Sequence, residues 1–224
     1  MCGRYTITVT VEELMARFMA EDATVPCHRP RYNVAPMQMV PAVIHDGTRN
    51  RLGMLKWGLV PPWAEDERIG ARMINARAET LEERPAFRQA FRRKRCILPA
   101  DGFYEWKRDG KRKRPLRIVL RDGGVFGMAG LYETWTGPDG RKVHTCAVVT
   151  TAPNRLMADI HDRMPVILRR EDEALWLDRN VQDLERLRPL LQPYPAEEME
   201  AYEVDPRVGN VAFDDPGLIR RLAE

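Results

Sequence analysis

The amino-acid sequence predicts an α+β fold: one domain over residues 1–224, with a mainly antiparallel, curled or barrel-like sheet and flanking helices. Three observations carry this. Strand-like runs follow one another through short turn signals such as Asp46-Gly47 and Asp122-Gly123-Gly124. Helical patterns stand between groups of strands instead of after every strand, which argues against a doubly wound sheet. No repeat, low-complexity tract or linker divides the 224 residues, a length that suits one good-sized core.

The elements follow in order. Thr10-Val11-Glu12-Glu13 reads as a capping box opening a helix whose apolar side is Leu14, Met15 and Phe18. Met39 to His45 and Arg51 to Trp57 form a hairpin through Asp46-Gly47. Thr80-Leu81-Glu82-Glu83 starts a second helix carrying Phe87 and Phe91. Strands are expected at Cys96 to Pro99, Phe103 to Lys107, Arg117 to Leu120, Val125 to Tyr132 and Val143 to Thr150. Helical patterns return at Asn154 to Asp159, Arg170 to Leu177 and Val181 to Leu191. Two short strands and a helical turn after Pro216 complete the reading.

Composition excludes several classes. No apolar run approaches a membrane span, and Thr6, Thr8, Thr10, Glu12 and Glu13 interrupt any secretory h-region. A cytoplasmic protein, or a nucleoid-associated one, is expected. Four spread cysteines, with Cys27-His28 the one adjacent couple, lack the ligand spacing of a zinc site, so no metal and no cofactor is expected. Cys96 and Cys146 read as small buried hydrophobes in strands. The net charge of +3 says little, but its distribution is uneven. Arg92-Arg93-Lys94-Arg95 and the stretch Lys107 to Arg114 are basic enough to meet phosphates, or simply to be solvated.

Removal of Met1 would make Cys2 the first residue, with an α-amine beside a thiol. The amine titrates at about 7.7–8.0, far below a lysine, and the thiol is a good nucleophile once ionised. A 1,2-aminothiol converts an aldehyde to an imine and then to a five-membered thiazolidine; a second-position cysteine with no task is the bland alternative. Asn75 and Arg77 lie on one face if their segment is extended, fit to hold a sugar oxygen and a phosphate, or to brace a loop. Glu105 lies between Tyr104 and Trp106, whose rings would raise its pKa for acid/base work; an exposed strand glutamate is the alternative. His161 sits amid charges and can shuttle a proton, or be a structural histidine. Trp57 to Ala64 is a stiff aromatic and proline loop suited to stack on unpaired bases, or to act as a lid.

Six stretches together resemble the SOS response-associated peptidase (SRAP) family, whose members detect abasic sites in single-stranded DNA. They are Met1 to Tyr5, Arg31 to Pro36, Trp57 to Ala64, Ile74 to Thr80, Pro99 to Trp106 and Ile160 to Pro165; after them only Val208-Gly209-Asn210-Val211 matches weakly. The resemblance implies a compact α+β domain with a positive DNA cleft and Cys2 at its bottom. It implies catalytic roles for Cys2, Asn75, Glu105 and His161. Arg4 and Arg77 would contact phosphates, Asn33 and Pro36 would line the DNA path, and Trp63 would stack on bases. Some relatives carry two adjacent tryptophans in that loop, whereas Ala64 follows Trp63 here. The expected function is a covalent thiazolidine cross-link to abasic sites in single-stranded DNA, made by a monomer and protecting the lesion, with weak lyase activity alongside. A thiol peptidase using Cys2, including removal of its own Met1, is the main alternative, and a non-enzymatic nucleic-acid-binding module the third.

Overall fold

The computed structural model describes residues 2–25 and 28–223. Met1, on which the terminal-residue reading falls, and Cys27, half of the Cys27-His28 couple, lie outside the described residues. The chain runs β1 (Tyr5–Ile7), α1 (Val11–Arg17), β2 (Ala20–Ala23), β3 (Arg31–Val34), β4 (Met39–His45) and β5 (Asn50–Trp57). A 3-10 segment (Glu67–Arg72) leads to β6 (Asn75–Arg77), α2 (Pro85–Arg93), β7 (Arg95–Ala100), β8 (Gly102–Asp109) and β9 (Arg112–Leu120). Then come β10 (Phe126–Thr136), β11 (Lys142–Thr151), α3 (Arg155–Ala158), β12 (Met164–Pro165), β13 (Ile167–Leu168), α4 (Arg170–Leu177), α5 (Leu184–Leu187) and β14 (Met199–Glu203).

The fold is α+β with a curled, barrel-like sheet. One sheet has the order β14-β9-β8-β1-β3, all antiparallel. The other runs β12-β11-β10-β7-β4-β5-β2. Its β5 returns to β11, pairing Lys56 with Thr145 and Trp57 with Cys146. That return closes β11-β10-β7-β4-β5 into a ring. The pairings β2–β5, β5–β11 and β6–β11 are parallel; the rest of both sheets is antiparallel, as expected. Every residue of β7 is buried, and Cys96 and Cys146 lie wholly inside as apolar filler.

The capping box is present: Thr10 accepts from the Glu13 N–H while the Glu13 carboxylate accepts from the Thr10 N–H. Two readings need correction. The second helix begins at Pro85 and not at Thr80. The proline ring forbids the α region to the residue before it, and Arg84 is accordingly extended at φ −78°, ψ 119°. Proline then serves as the first helical residue, where a missing N–H costs nothing. Of the two expected late strands, β14 alone forms; Asp205 instead caps a 3-10 turn over Pro206–Gly209.

The basic run 92–95 divides. Lys94 bonds Glu133 at 2.6 Å. Arg95 is 3% exposed and donates to the carbonyls of Phe91, Arg92, Trp176, Asp178 and Val181. This guanidinium ties β7 to the ends of α2 and α4, and is no phosphate ligand. Arg95→Met should therefore lower stability by about 3 kcal/mol, because buried carbonyls lose their donor. A shifted urea midpoint with unchanged slope is the measurement, and an unmoved midpoint would contradict the assignment.

Candidate active site and nucleic-acid groove

The N-terminal strand is fixed from below. β1 lies between β3 and β8, so the residues just before it meet the middle of that sheet. Asp101, buried, accepts from the Thr6 and Thr8 hydroxyls (2.5 Å each), the Thr8 N–H (2.7 Å) and Arg117 Nη2 (3.1 Å). The Tyr104 N–H donates to the Arg4 carbonyl at 2.9 Å. This pinning carries Cys2 against Glu105 on β8.

Cys2 is 5% exposed. Burial first, and the Glu105 carboxyl second, push its thiol well above the ordinary range. The carboxyl of Glu105 acts on this thiol at close range, and the thiol on the carboxyl in return. Glu105 is itself buried, and desolvation raises its carboxyl to about 7. A carboxyl there exchanges a proton readily near neutrality. His161 Nε2 stands 3.9 Å from Glu105 Oε2. Its Nδ1 lies 3.1 Å from both the Arg163 N–H and Asp162 Oδ1, which orients the ring toward Glu105. Burial lowers the His161 pKa, so the ring is neutral at neutral pH.

Asn75 enters from β6, set in register by Val148 of β11. Its amide donates to the Cys2 carbonyl at 3.1 Å, while its Oδ1 is buried with no hydrogen-bond partner among the described residues. That leaves an acceptor beside Cys2 for a hydroxyl or ammonium group. Arg163 forms a bidentate pair with Glu79, 2.9 Å at both nitrogens, and reaches the Thr150 carbonyl at 2.8 Å. Its charge draws the Cys2 thiol pKa down, against the larger effect of burial. Sequence reasoning quoted Arg163 within a motif but assigned it nothing; its cue was the paired Glu79 in another motif.

A cleft of about 310 Å³ opens over Asn75, Arg77, Thr150, His161 and Arg163. It continues past Asn75 and Arg77 into one of about 430 Å³ between Trp63 and α2. Trp63 is 59% exposed, and its loop is anchored where Trp135 Nε1 donates to the Ala64 carbonyl. Arg77 is exposed, and its side chain forms no ion pair or hydrogen bond among the described residues. The structure thus brings Cys2, Asn75, Glu105 and His161 together, with Arg77 and Trp63 along the groove beyond. Arg4 and Asn33 sit apart from that groove. Arg4 Nη1 donates to Asn33 Oδ1 (2.9 Å) and the Val208 carbonyl (2.6 Å). Asn33, 1% exposed, donates to the carbonyls of Val208, Asn210 and Phe213, so both residues fasten the C-terminal loop. Pro36 is half-buried before Met37, which has φ 68°. Among the described residues no His, Cys, Asp and Glu group could hold a metal ion, and no helix is long and apolar enough to cross a membrane.

A barrel-like α+β protein that gathers a buried cysteine and carboxyl with a half-buried imidazole and carboxamide at a cationic groove is a defined class. The family model described as SOS response associated peptidase (SRAP) matches residues 1–211, and the chain belongs to that family. It is 52% identical over 222 residues to the abasic site processing protein YoqW of Bacillus subtilis (strain 168), covering 98% of this chain and 99% of that one. To the abasic site processing protein YedK of Escherichia coli (strain K12) it is 31% identical over 226 residues, covering 98% and 99%. Among solved structures, a protein from Bacteroides thetaiotaomicron superposes with a TM-score of 0.91 at 28% identity, over 99% of this chain and all of that one.

Proposed function

We propose that this protein processes abasic sites by capturing them covalently in single-stranded DNA, through Cys2 after removal of Met1. The observation that carries the reading is the gathering of buried Cys2 and Glu105, the latter with a carboxyl at about 7, behind Asn75 and His161 at the head of a cationic groove. The names of the relatives agree with it.

Glu105, as the acid, gives its proton to the ring oxygen of the closed deoxyribose. The C1′–O4′ bond breaks, the C1′ hydroxyl proton leaves through His161 to water, and the aldehyde forms. The Cys2 α-amine adds to C1′ and expels water, giving an imine. Glu105, now a carboxylate, takes the thiol proton, sulfur adds to C1′, and the proton ends on nitrogen. The product is a thiazolidine, and the sum is protein plus DNA minus one water. Asn75 holds the Cys2 carbonyl and offers its vacant Oδ1 to the sugar hydroxyl. Arg77 meets a phosphate, and Trp63 a base. Loss of the 3′ phosphate from the imine by β-elimination supplies a weak lyase activity. The missing base makes entry to the site cheaper than extrusion of a normal nucleotide. Arg4 and Asn33 act on the DNA path through the C-terminal loop they fasten, and Pro36 lines that path. The unit works as one domain and as a monomer.

The peptidase alternative needs a depressed thiol pKa and an imidazolium partner. Here the thiol is raised and His161 is lowered, the reverse of that ion pair. Intact-protein mass spectrometry after mixing with single-stranded DNA bearing one abasic site tests the proposal. The expected species weighs the sum of the two minus one water, and lesion-free DNA gives none. Unshifted protein, with Met1 shown to be gone, would refute covalent capture.

A further inference from the structure

The 3-10 segment Glu67–Arg72 forms the far bank of the groove, and it is rigidly seated. A Cβ on Gly70 would stand 2.5 Å from the Gly58 carbonyl oxygen, so the two backbones touch, and Gly58 itself has φ +147°. The Leu59 N–H donates to the Met73 carbonyl at 3.0 Å and the Met73 N–H to Gly70 at 2.9 Å. Most charges here are already satisfied. Glu67 lies between Arg141 (3.1 Å) and Lys56 (3.7 Å), and Arg68 pairs with Asp66 at 2.5 Å. Arg72 is the exception: it is exposed, and its side chain has no ion pair or hydrogen bond among the described residues. It is also a common wall of three adjoining clefts, of about 310, 430 and 640 Å³. The middle cleft is lined by Arg72, Arg77 and Arg84, whose side chains form no ion pair or hydrogen bond among the described residues, together with Trp63, Pro85 and Phe87.

An exposed tryptophan ring and uncommitted guanidinium groups lining one cleft match one nucleotide unit, base on the ring and phosphates on the cations. We propose that the cleft between Trp63 and α2 binds the nucleotide flanking the abasic sugar on one side, and that Arg72 is its phosphate contact. The inference rests on the DNA reading above and adds a direction to it. The strand must continue through this cleft on one side of the lesion, and Arg72 reads that continuation.

The test measures fluorescence anisotropy of lesion-free single-stranded DNA across a salt series, and cross-linking rates on abasic strands truncated on either side of the lesion. Arg72→Ala and Arg72→Gln should make the salt slope about 0.7 unit shallower, as loss of one phosphate contact to a single strand does. At about 0.05 M salt that corresponds to affinity about eightfold weaker. Arg77→Ala should do the same, Arg72→Lys should restore the slope, and Arg68→Ala should leave it unchanged. The Arg72→Ala cross-linking defect should be confined to one of the two truncated strands. An unchanged slope in both Arg72 variants, an equal loss from Arg68→Ala, or a defect indifferent to the truncated side would overturn the inference. Wild-type protein that binds DNA with this Arg72 dependence yet never cross-links would instead sink covalent capture and leave the subsite standing.

Discussion

Protein retaining any residue ahead of Cys2 is expected to form no stable adduct with an abasic oligonucleotide. The reason lies in the product. A thiol alone adds to an aldehyde reversibly, as a hemithioacetal, and an amine alone gives an imine that water cleaves. Both groups on one residue lock each other into a ring. An N-terminal extension turns the nitrogen into an amide and removes its nucleophilicity. Cys2→Ser keeps the amine and loses the sulfur, so it should trap only when borohydride reduces the imine. A C-terminal tag leaves both groups intact and should be harmless. The three proteins are compared on denaturing gels, with and without borohydride. The expected loss is total for the extended form, and Cys2→Ser should show a band in the borohydride lane alone. Heat-stable cross-linking by the extended protein would make the amine dispensable and put the thiol reading first.

Glu105→Gln should slow cross-linking about 10²- to 10⁴-fold, the usual worth of a positioned acid or base, with DNA affinity retained. The pH profile follows from the groups named. The amine must be neutral, so the rate rises toward about pH 8. Glu105 must be protonated at the start, so the rate falls above its pKa of about 7. The wild-type profile is therefore a bell between these limits, and the variant should keep only the rising limb. Stability should move the other way. A carboxyl whose folded pKa lies above its unfolded value holds its proton longer when folded. Its contribution is at its most favourable below about 4.3, the unfolded value, and is lost as pH rises through about 7. Glutamine carries no such charge, so Glu105→Gln should be more stable than wild type at about pH 8, by roughly 3 kcal/mol, and gain nothing near pH 4. A slow, destabilised variant would mean that Glu105 is a structural brace. A fast one would remove it from the chemistry.

The parts legible in the sequence are those whose signal is local. The capping box at Thr10, the Asp46-Gly47 hairpin and α4 stand where they were read, because their hydrogen bonds close within a few residues. β1, β3 and β6 escaped notice. Each is three or four residues long and is extended only because distant strands pair with it. Ring closure likewise depends on β5 meeting β11 some ninety residues later, which no local pattern encodes. At the site, the expected direction of the Glu105 pKa agrees with the structure but the expected cause does not: Tyr104 and Trp106 pack together in a separate cluster on the other face of β8, and the rise comes from the burial of Glu105 itself. Three things were not readable: Arg163 neutralised by Glu79, Arg95 consumed by carbonyls, and Arg72 left without a partner. Residue type announces a charge, but only the fold decides whether that charge is already spent.

The central place of β1 sets a timetable for biosynthesis. Cys2 becomes enclosed once β8 pairs beside β1, and the sequence of β8 begins at Gly102, so roughly a hundred residues must be made first. At the usual pace of about 5–20 residues per second, the chain's start stays open for about 5–20 seconds. If a separate enzyme trims Met1, as the proposed function requires, that interval is when it meets the nascent terminus as a loose thread. A chain that escaped trimming would then keep the Cys2 nitrogen locked in an amide, a lifelong bystander in an otherwise sound molecule. The active fraction of a preparation would then be decided on the ribosome, before the groove exists.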